Sequence, residues 1–293
     1  MKSALKRGCK MLVNVILTVF LVIASTVLHE IGHAFFLNKH GIKISELGIG
    51  LSLRSLIGKS PGKPLTSIAP RRIDAWGVHM DIPRIAFHAI PLGAYVDPID
   101  EEDKFSTLST SSKIEIYGAG SYVHLVLTAL LYFTIFSLLG VYAALNGVYP
   151  PKEILIHALL GASVFALLVG FRDFVFRHGP IFLGALGIVL VLLIILTPEG
   201  RGSVGGVISV VAISTQTTSI FEVLIIALSV NLSMAIINAV PLKITDGAQI
   251  LNALLGKANA PQRFQTSVGW VGAVALAALL FLSFHNDIIN YIL

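Results

Sequence analysis

The sequence predicts an all-α polytopic membrane protein with about six transmembrane helices and a small β element between the first and second of them. Three observations predict it. Of 293 residues, 55% are hydrophobic and 13% charged, where a soluble globular domain carries about 25% charged residues. Apolar runs of the length a bilayer demands, about 20 residues, recur at about 11–37, 114–141, 154–169, 180–196, 220–240 and 268–284. The interval 38–113 holds most of the charge and contains alternating pieces rather than another apolar run. No repeat, low-complexity tract or separate soluble domain interrupts the chain, so residues 1–293 read as one domain.

The elements follow in order. Lys2, Lys6, Arg7 and Lys10 precede the first apolar run and mimic a signal peptide. No small-residue cleavage site ends a short core, and the run continues into His29 and Glu30, so it is expected to be a retained helix. Within 73–97, Trp76-Gly-Val78-His-Met80 and Ile85-Ala-Phe87-His-Ala-Ile90 suggest short strands. Pro83 and Pro91 break them, as suits edge strands. The acidic run Asp97–Asp103 reads as a solvated loop. Gly118, Gly120 and Ser121 open the second span. Pro198–Gly206 is a Gly-rich connector, and 207–218 turns from apolar to polar, as at an interface. The fifth span ends in Pro241-Leu-Lys-Ile-Thr245-Asp246-Gly247, after which Ala248–Leu255 reads as a short helix. Cys9 is the only cysteine, which excludes an intrachain disulfide and an all-cysteine metal site. The net charge of +5 follows the loops and carries no nucleic-acid role.

The chemistry is concentrated in His29-Glu30-Ile-Gly-His33, an H-E-x-x-H pattern at the end of the first span. Residues four apart return to one helix face, so His29 and His33 can bind one zinc ion. Glu30, off that axis, can take a proton from a zinc-activated water, the role the pattern implies. Ionisable groups at membrane depth are costly to place and mark function. Two histidines leave the site incomplete, because a catalytic zinc takes three protein ligands and keeps one open position.

Asp246 is the candidate third ligand. It follows an apolar span in a helix broken by Pro241 and Gly247, and irregular backbone at membrane depth is tolerated where it is packed or lines a wet cavity. The competing reading is a helix N-cap, for which Asp is favoured. If six helices alternate, the ends of the first and fifth fall on one side, where Asp246 can meet the histidines. Fifteen of the 21 Lys and Arg residues lie on that side, which predicts that it is cytoplasmic. The basic N-terminus pulls the other way.

Together these motifs resemble the site-2 protease family of intramembrane zinc metalloproteases. His29-Glu30-Ile-Gly-His33 resembles the motif on its first core helix. Gly48-Ile-Gly50, Ile90-Pro91-Leu-Gly93-Ala-Tyr95-Val96, Val204-Gly-Gly-Val-Ile-Ser-Val and Asn238-Ala-Val-Pro241-Leu-Lys-Ile-Thr245-Asp246-Gly247 follow in the family's order. The resemblance implies one zinc ion per chain, held by His29, His33 and Asp246, with Glu30 as catalytic base. It makes the β element at about 73–97 membrane-associated, and places Asn238, His124, Gly93 and Tyr95 with the substrate. That substrate would be a single-span membrane protein met within the lipid bilayer, cleaved in regulated intramembrane proteolysis. The chain departs from the pattern at His124, where an asparagine is usual, and at Ala94, Lys243, Thr245 and Ala248. No PDZ-like domain fits between the spans. For His124 three readings stand in order: a hydrogen-bond donor to substrate backbone, a packed interior histidine, or a group approaching the metal. His79 and His88 read as surface or interfacial; His40, His157, His178 and His285 lie near span ends.

Two rival classes remain at this level. A membrane zinc transporter also places H-E-x-x-H in a span, but it needs acidic and histidine ligands along several spans, and here they are nearly missing outside His124. A catalytically silent scaffold has no use for Glu30.

Overall fold

The computed structural model describes residues 2–51, 64–75, 78–88, 90–99, 104–147, 152–197, 201–202, 205–217 and 219–291. Its elements run α1 (Lys2–Lys39), β1 (Lys43–Leu51), β2 (Thr66–Ile68), β3 (Arg71–Ala75), β4 (Val78–Ile82), β5 (Arg84–Phe87), β6 (Ile90–Ile99), α2 (Lys104–Thr107), α3 (Thr110–Leu145), α4 (Lys152–Gly170), α5 (Arg172–Leu196), α6 (Val207–Gln216), α7 (Ile220–Ala239), α8 (Asp246–Lys257) and α9 (Gln262–Tyr291). Six helices are long and apolar enough to cross a membrane: Met11–Lys39 within α1, then α3, α4, α5, α7 and α9. These are the six expected spans. Most of their side chains face outward, including Phe20, Leu159, Phe182 and Phe281, the surface a bilayer would cover.

The helices overrun the apolar runs that announce them, because polar residues at either end continue the helix beyond the hydrocarbon. The fourth span, expected from residue 180, begins at Arg172 and carries Pro180 inside the helix. Pro180 packs where a side chain on Gly118 would sit, so the bare backbone of α3 receives the proline ring. The extra turns have a partner. Glu115, buried in α3, receives Lys39 Nζ at 3.0 Å and His40 Nε2 at 3.2 Å, and Arg177 Nε approaches it at 3.6 Å. One carboxylate thus joins the ends of α1, α3 and α5.

α3 is the central post, packed against α1, α4, α5, α7 and α8. At 36 residues it is about 54 Å long, so it projects from the membrane. Where it meets α1 and α5, Phe36, Leu37, Ile42, Ile116, Ala119 and Phe176 form a buried core, with Val96 of β6 packed against it. At the opposite end, Asp287 of α9 is buried and accepts from the main-chain N–H groups of Gly206 and Ile208 and from Ser209 Oγ. A carboxylate there neutralises the exposed donors at the start of α6.

The β element is larger than the 73–97 expected. β1 already begins at Lys43, and the sheet runs β2-β5-β1-β6, with β3-β4 as a separate hairpin. β1 pairs with β5 in parallel and with β6 antiparallel. The expected loop at Asp97 is also corrected. Asp97, Pro98 and Ile99 continue β6 opposite Glu46, Ile44 and Lys43, and Ser45 Oγ donates to Asp97 Oδ2 at 2.7 Å. Trp76, Gly77, Ala89, Asp100–Asp103, Pro198–Gly200, Ser203 and Val204 lie outside the described residues.

Candidate metal centre

His29 and His33 lie one turn apart on α1, as their spacing requires. Their Nε2 atoms are 3.0 Å apart, and each is 3.3 Å from Asp246 Oδ2. Donors of a tetrahedral zinc at about 2.0–2.1 Å stand about 3.3–3.4 Å from one another, so the triangle has the dimensions of three zinc ligands. Its electronic state fits as well. His33 Nδ1 donates to Ile116 O at 2.7 Å, which leaves the Nε2 lone pair bare. Asp246 Oδ2 is buried with no hydrogen-bond partner among the described residues, a cost that a cation would remove. These residues are also the one group of three or more metal-binding side chains among the described residues.

The cap reading of Asp246 meets a specific obstacle. The N-cap of α8 is Thr245, and Asp246 is the first helical residue. The Thr245 hydroxyl is turned back into the loop, donating to Val240 O at 2.5 Å and Leu242 O at 2.8 Å, and it stiffens the turn that delivers Asp246. Glycines close the same turn. A Cβ on Gly184 of α5, Gly247 of α8 or Gly272 of α9 would lie 2.6, 2.1 or 2.5 Å from a carbonyl oxygen of Ala239 or Pro241.

α1 is brought to α3 in the same way. A Cβ on Gly32 would stand 2.8 Å from Val123 Cγ2, and one on Gly120 would stand 2.1 Å from His29 Cε1. The His29 ring thus rests on the bare backbone of α3. Gly120→Ala is expected to displace the ring and weaken zinc retention about 10- to 100-fold, the range seen when a ligand's supporting partner is lost. Zinc content after dialysis against a competing chelator measures it, and retention equal to wild type would show that the ring is held elsewhere.

Glu30 stands beside the triangle, facing Val96 of β6 across the same cavity. Glu30, His33, Val96, Pro98, Tyr117 and Asp246 border a cavity of about 350 Å³. β6 thereby forms one wall of the space beside the histidines.

The residues expected to hold substrate are placed differently. Successive strand residues point to opposite faces, so Val96 and Pro98 line the cavity while Tyr95 turns away. The Tyr95 hydroxyl donates to Glu46 Oε1 at 2.6 Å, accepts from His88 Nε2 at 2.9 Å, and its ring fills the space over Gly48. Burial and the Glu46 carboxylate push the phenol above its ordinary range. Gly93 is exposed with φ +81° at an irregularity of the β1–β6 ladder, a conformation that favours glycine. Neither residue borders the cavity. His88 is buried rather than at the surface.

Asn238 lies by His29, its Nδ2 3.4 Å from the ring's Nδ1. A metal on Nε2 requires a proton on Nδ1, and a half-turn of the amide offers Oδ1 to it, the usual outer partner of a ligating histidine.

His124 sits in a hydrogen-bonded chain whose direction is determined. Ser25 Oγ donates to Leu21 O, and Asn231 Nδ2 donates to Ser25 Oγ and to Ala227 O. Asn231 Oδ1 therefore faces His124 Nδ1 at 2.9 Å and accepts its proton. In a neutral ring Nε2 is then a bare acceptor, buried and without a partner among the described residues. This corrects the expected donor role. The ring lies 5.0 Å from that of His29, outside the group of candidate ligands.

Sequence reading missed the turn made by the Thr245 hydroxyl, Gly120 as the seat of His29, Val96 as a wall of the cavity beside Glu30, and the Ser25–Asn231–His124 chain. The polar residues within apolar spans were the signal for the last of these.

Known proteins answer the question of kind. The family model described as Peptidase family M50 matches residues 76–281, well over half of the chain. The chain belongs to peptidase family M50. It is thus a multi-pass membrane protein of a metallopeptidase family. The matched span includes Asp246 and His124 but begins after His29-Glu30-x-x-His33, so geometry and the family match reach the site from different parts of the chain. No curated protein matches the sequence.

Proposed function

We propose that this M50 peptidase is an intramembrane zinc endopeptidase that cleaves transmembrane segments of single-span membrane proteins. The observation that carries the reading is the triangle of His29, His33 and Asp246, 3.0–3.3 Å on a side, with Glu30 beside it. A zinc ion held by these three would bring a water's pKa towards about 7 and polarise the scissile carbonyl. Glu30 takes the proton from that water, whose oxygen adds to the carbonyl carbon, and passes it to the leaving amine as the C–N bond breaks. Asn238 orients His29.

Substrate helices hide their peptide bonds and must unwind. β6, at the sheet's edge and along the cavity, supports capture of the unwound segment by strand addition. The excess of Lys and Arg on the site's side supports a cytoplasmic active site.

The test is cleavage of a single-span substrate by purified protein in vesicles. The reading expects cleavage that stops when zinc is chelated and returns when zinc is restored. Zinc flux across the vesicle with no cleavage would favour a transporter; neither activity would favour a scaffold.

A further inference from the structure

We propose that Tyr117 is a catalytic residue whose hydroxyl donates a hydrogen bond to the oxygen of the scissile carbonyl as negative charge develops there. The proposal rests on the peptidase reading of the same cavity. A hydrogen-bond donor aimed at that oxygen would stabilise the charge alongside the metal, and elimination among the cavity's side chains points to one. Among the described residues bordering the cavity, Glu30 and Asp246 are acceptors. His33 spends its Nδ1 proton on Ile116 O. Leu37, Val96, Pro98, Phe105 and Ile116 have no side-chain donor. Tyr117 remains. It follows Ile116 on α3, so the residue that fixes the His33 tautomer adjoins it. Its ring is braced edge-on by Phe105, with centroids 5.6 Å apart. Its hydroxyl has no hydrogen-bond partner among the described residues, and the residue lines the cavity together with Asp246.

The step balances without oxidant or co-substrate. The water oxygen forms a bond to the carbonyl carbon while Glu30 takes the water's proton, and the C=O π pair moves onto oxygen. Tyr117 shares its proton with that oxygen and keeps it. The pair then re-forms the C=O bond, the C–N bond breaks, and the nitrogen takes the proton from Glu30.

Tyr117→Phe deletes the donor and keeps the ring on Phe105. With a single-span substrate, kcat is expected to fall on the order of 100-fold with KM little changed. A phosphinate peptide, tetrahedral and charged where the oxyanion would be, should bind correspondingly more weakly, while a non-cleavable peptide with an intact amide binds as before and zinc content is unchanged. A kcat within twofold of wild type, an unchanged phosphinate affinity, or loss of zinc would overturn the proposal. If wild type cleaves nothing, the peptidase reading is at fault, and phosphinate binding still reads Tyr117 by itself.

Discussion

Glu30→Gln is expected to leave zinc bound and to reduce cleavage about 10²- to 10⁴-fold, the range a positioned general base contributes. Gln has nearly the shape of Glu, so the strand wall across the cavity stays in place. The histidines and Asp246 are untouched, so one zinc ion per chain should remain. What is lost is the ability to take a proton and return it. Paired measurements of zinc by elemental analysis and of kcat with a single-span substrate decide the matter. Cleavage at the wild-type rate would remove Glu30 from the chemistry, and loss of zinc together with activity would make it a structural residue.

Asp246→Ala separates a ligand from a helix cap. Loss of a cap costs about 1 kcal/mol of stability and leaves zinc in place. Loss of a ligand removes one corner of a triangle whose other corners are neutral imidazoles, and zinc affinity should fall by more than the roughly 10- to 100-fold that outer partners are worth. Thr245, not Asp246, occupies the N-cap position of α8, so only a small loss of helix stability is expected. Competition with a chelator of known affinity, read beside thermal unfolding of the metal-free proteins, gives both quantities. A variant that keeps its zinc and its activity would return Asp246 to the ordinary start of a helix.

How far the site could be read from sequence varied with the range of the interaction. The α1 half was legible because four-residue spacing puts His29 and His33 on one face whatever else the chain does. Asp246 was legible as a candidate, but ligand and cap remained open, because both readings place an acid at the same point in a broken helix. The position of Thr245 as N-cap is visible only in the backbone. Tyr95 was misplaced because its motif gives no parity. Which face of β6 meets the cavity depends on the pairing of Tyr95 with Gly48 and on where α1 lies. The donor role expected of His124 reversed because a histidine's tautomer is set by its partners, and Asn231 and Ser25 belong to other helices.

By itself the sequence determined the six spans, the β element between the first two, the two-histidine face and the acid beside it. All of these follow from composition or from the short periods of helix and strand, which neighbouring residues establish among themselves. Only the tertiary structure decided that Asp246 comes within 3.3 Å of both histidines, that His29 rests on Gly120, and that β6 walls the cavity. Those contacts join residues up to about two hundred positions apart. They arise from close packing at small residues, Gly32 of α1 and Gly120 of α3 where those helices meet, and Gly184, Gly247 and Gly272 around the α7–α8 turn, where the absence of a side chain lets backbones meet.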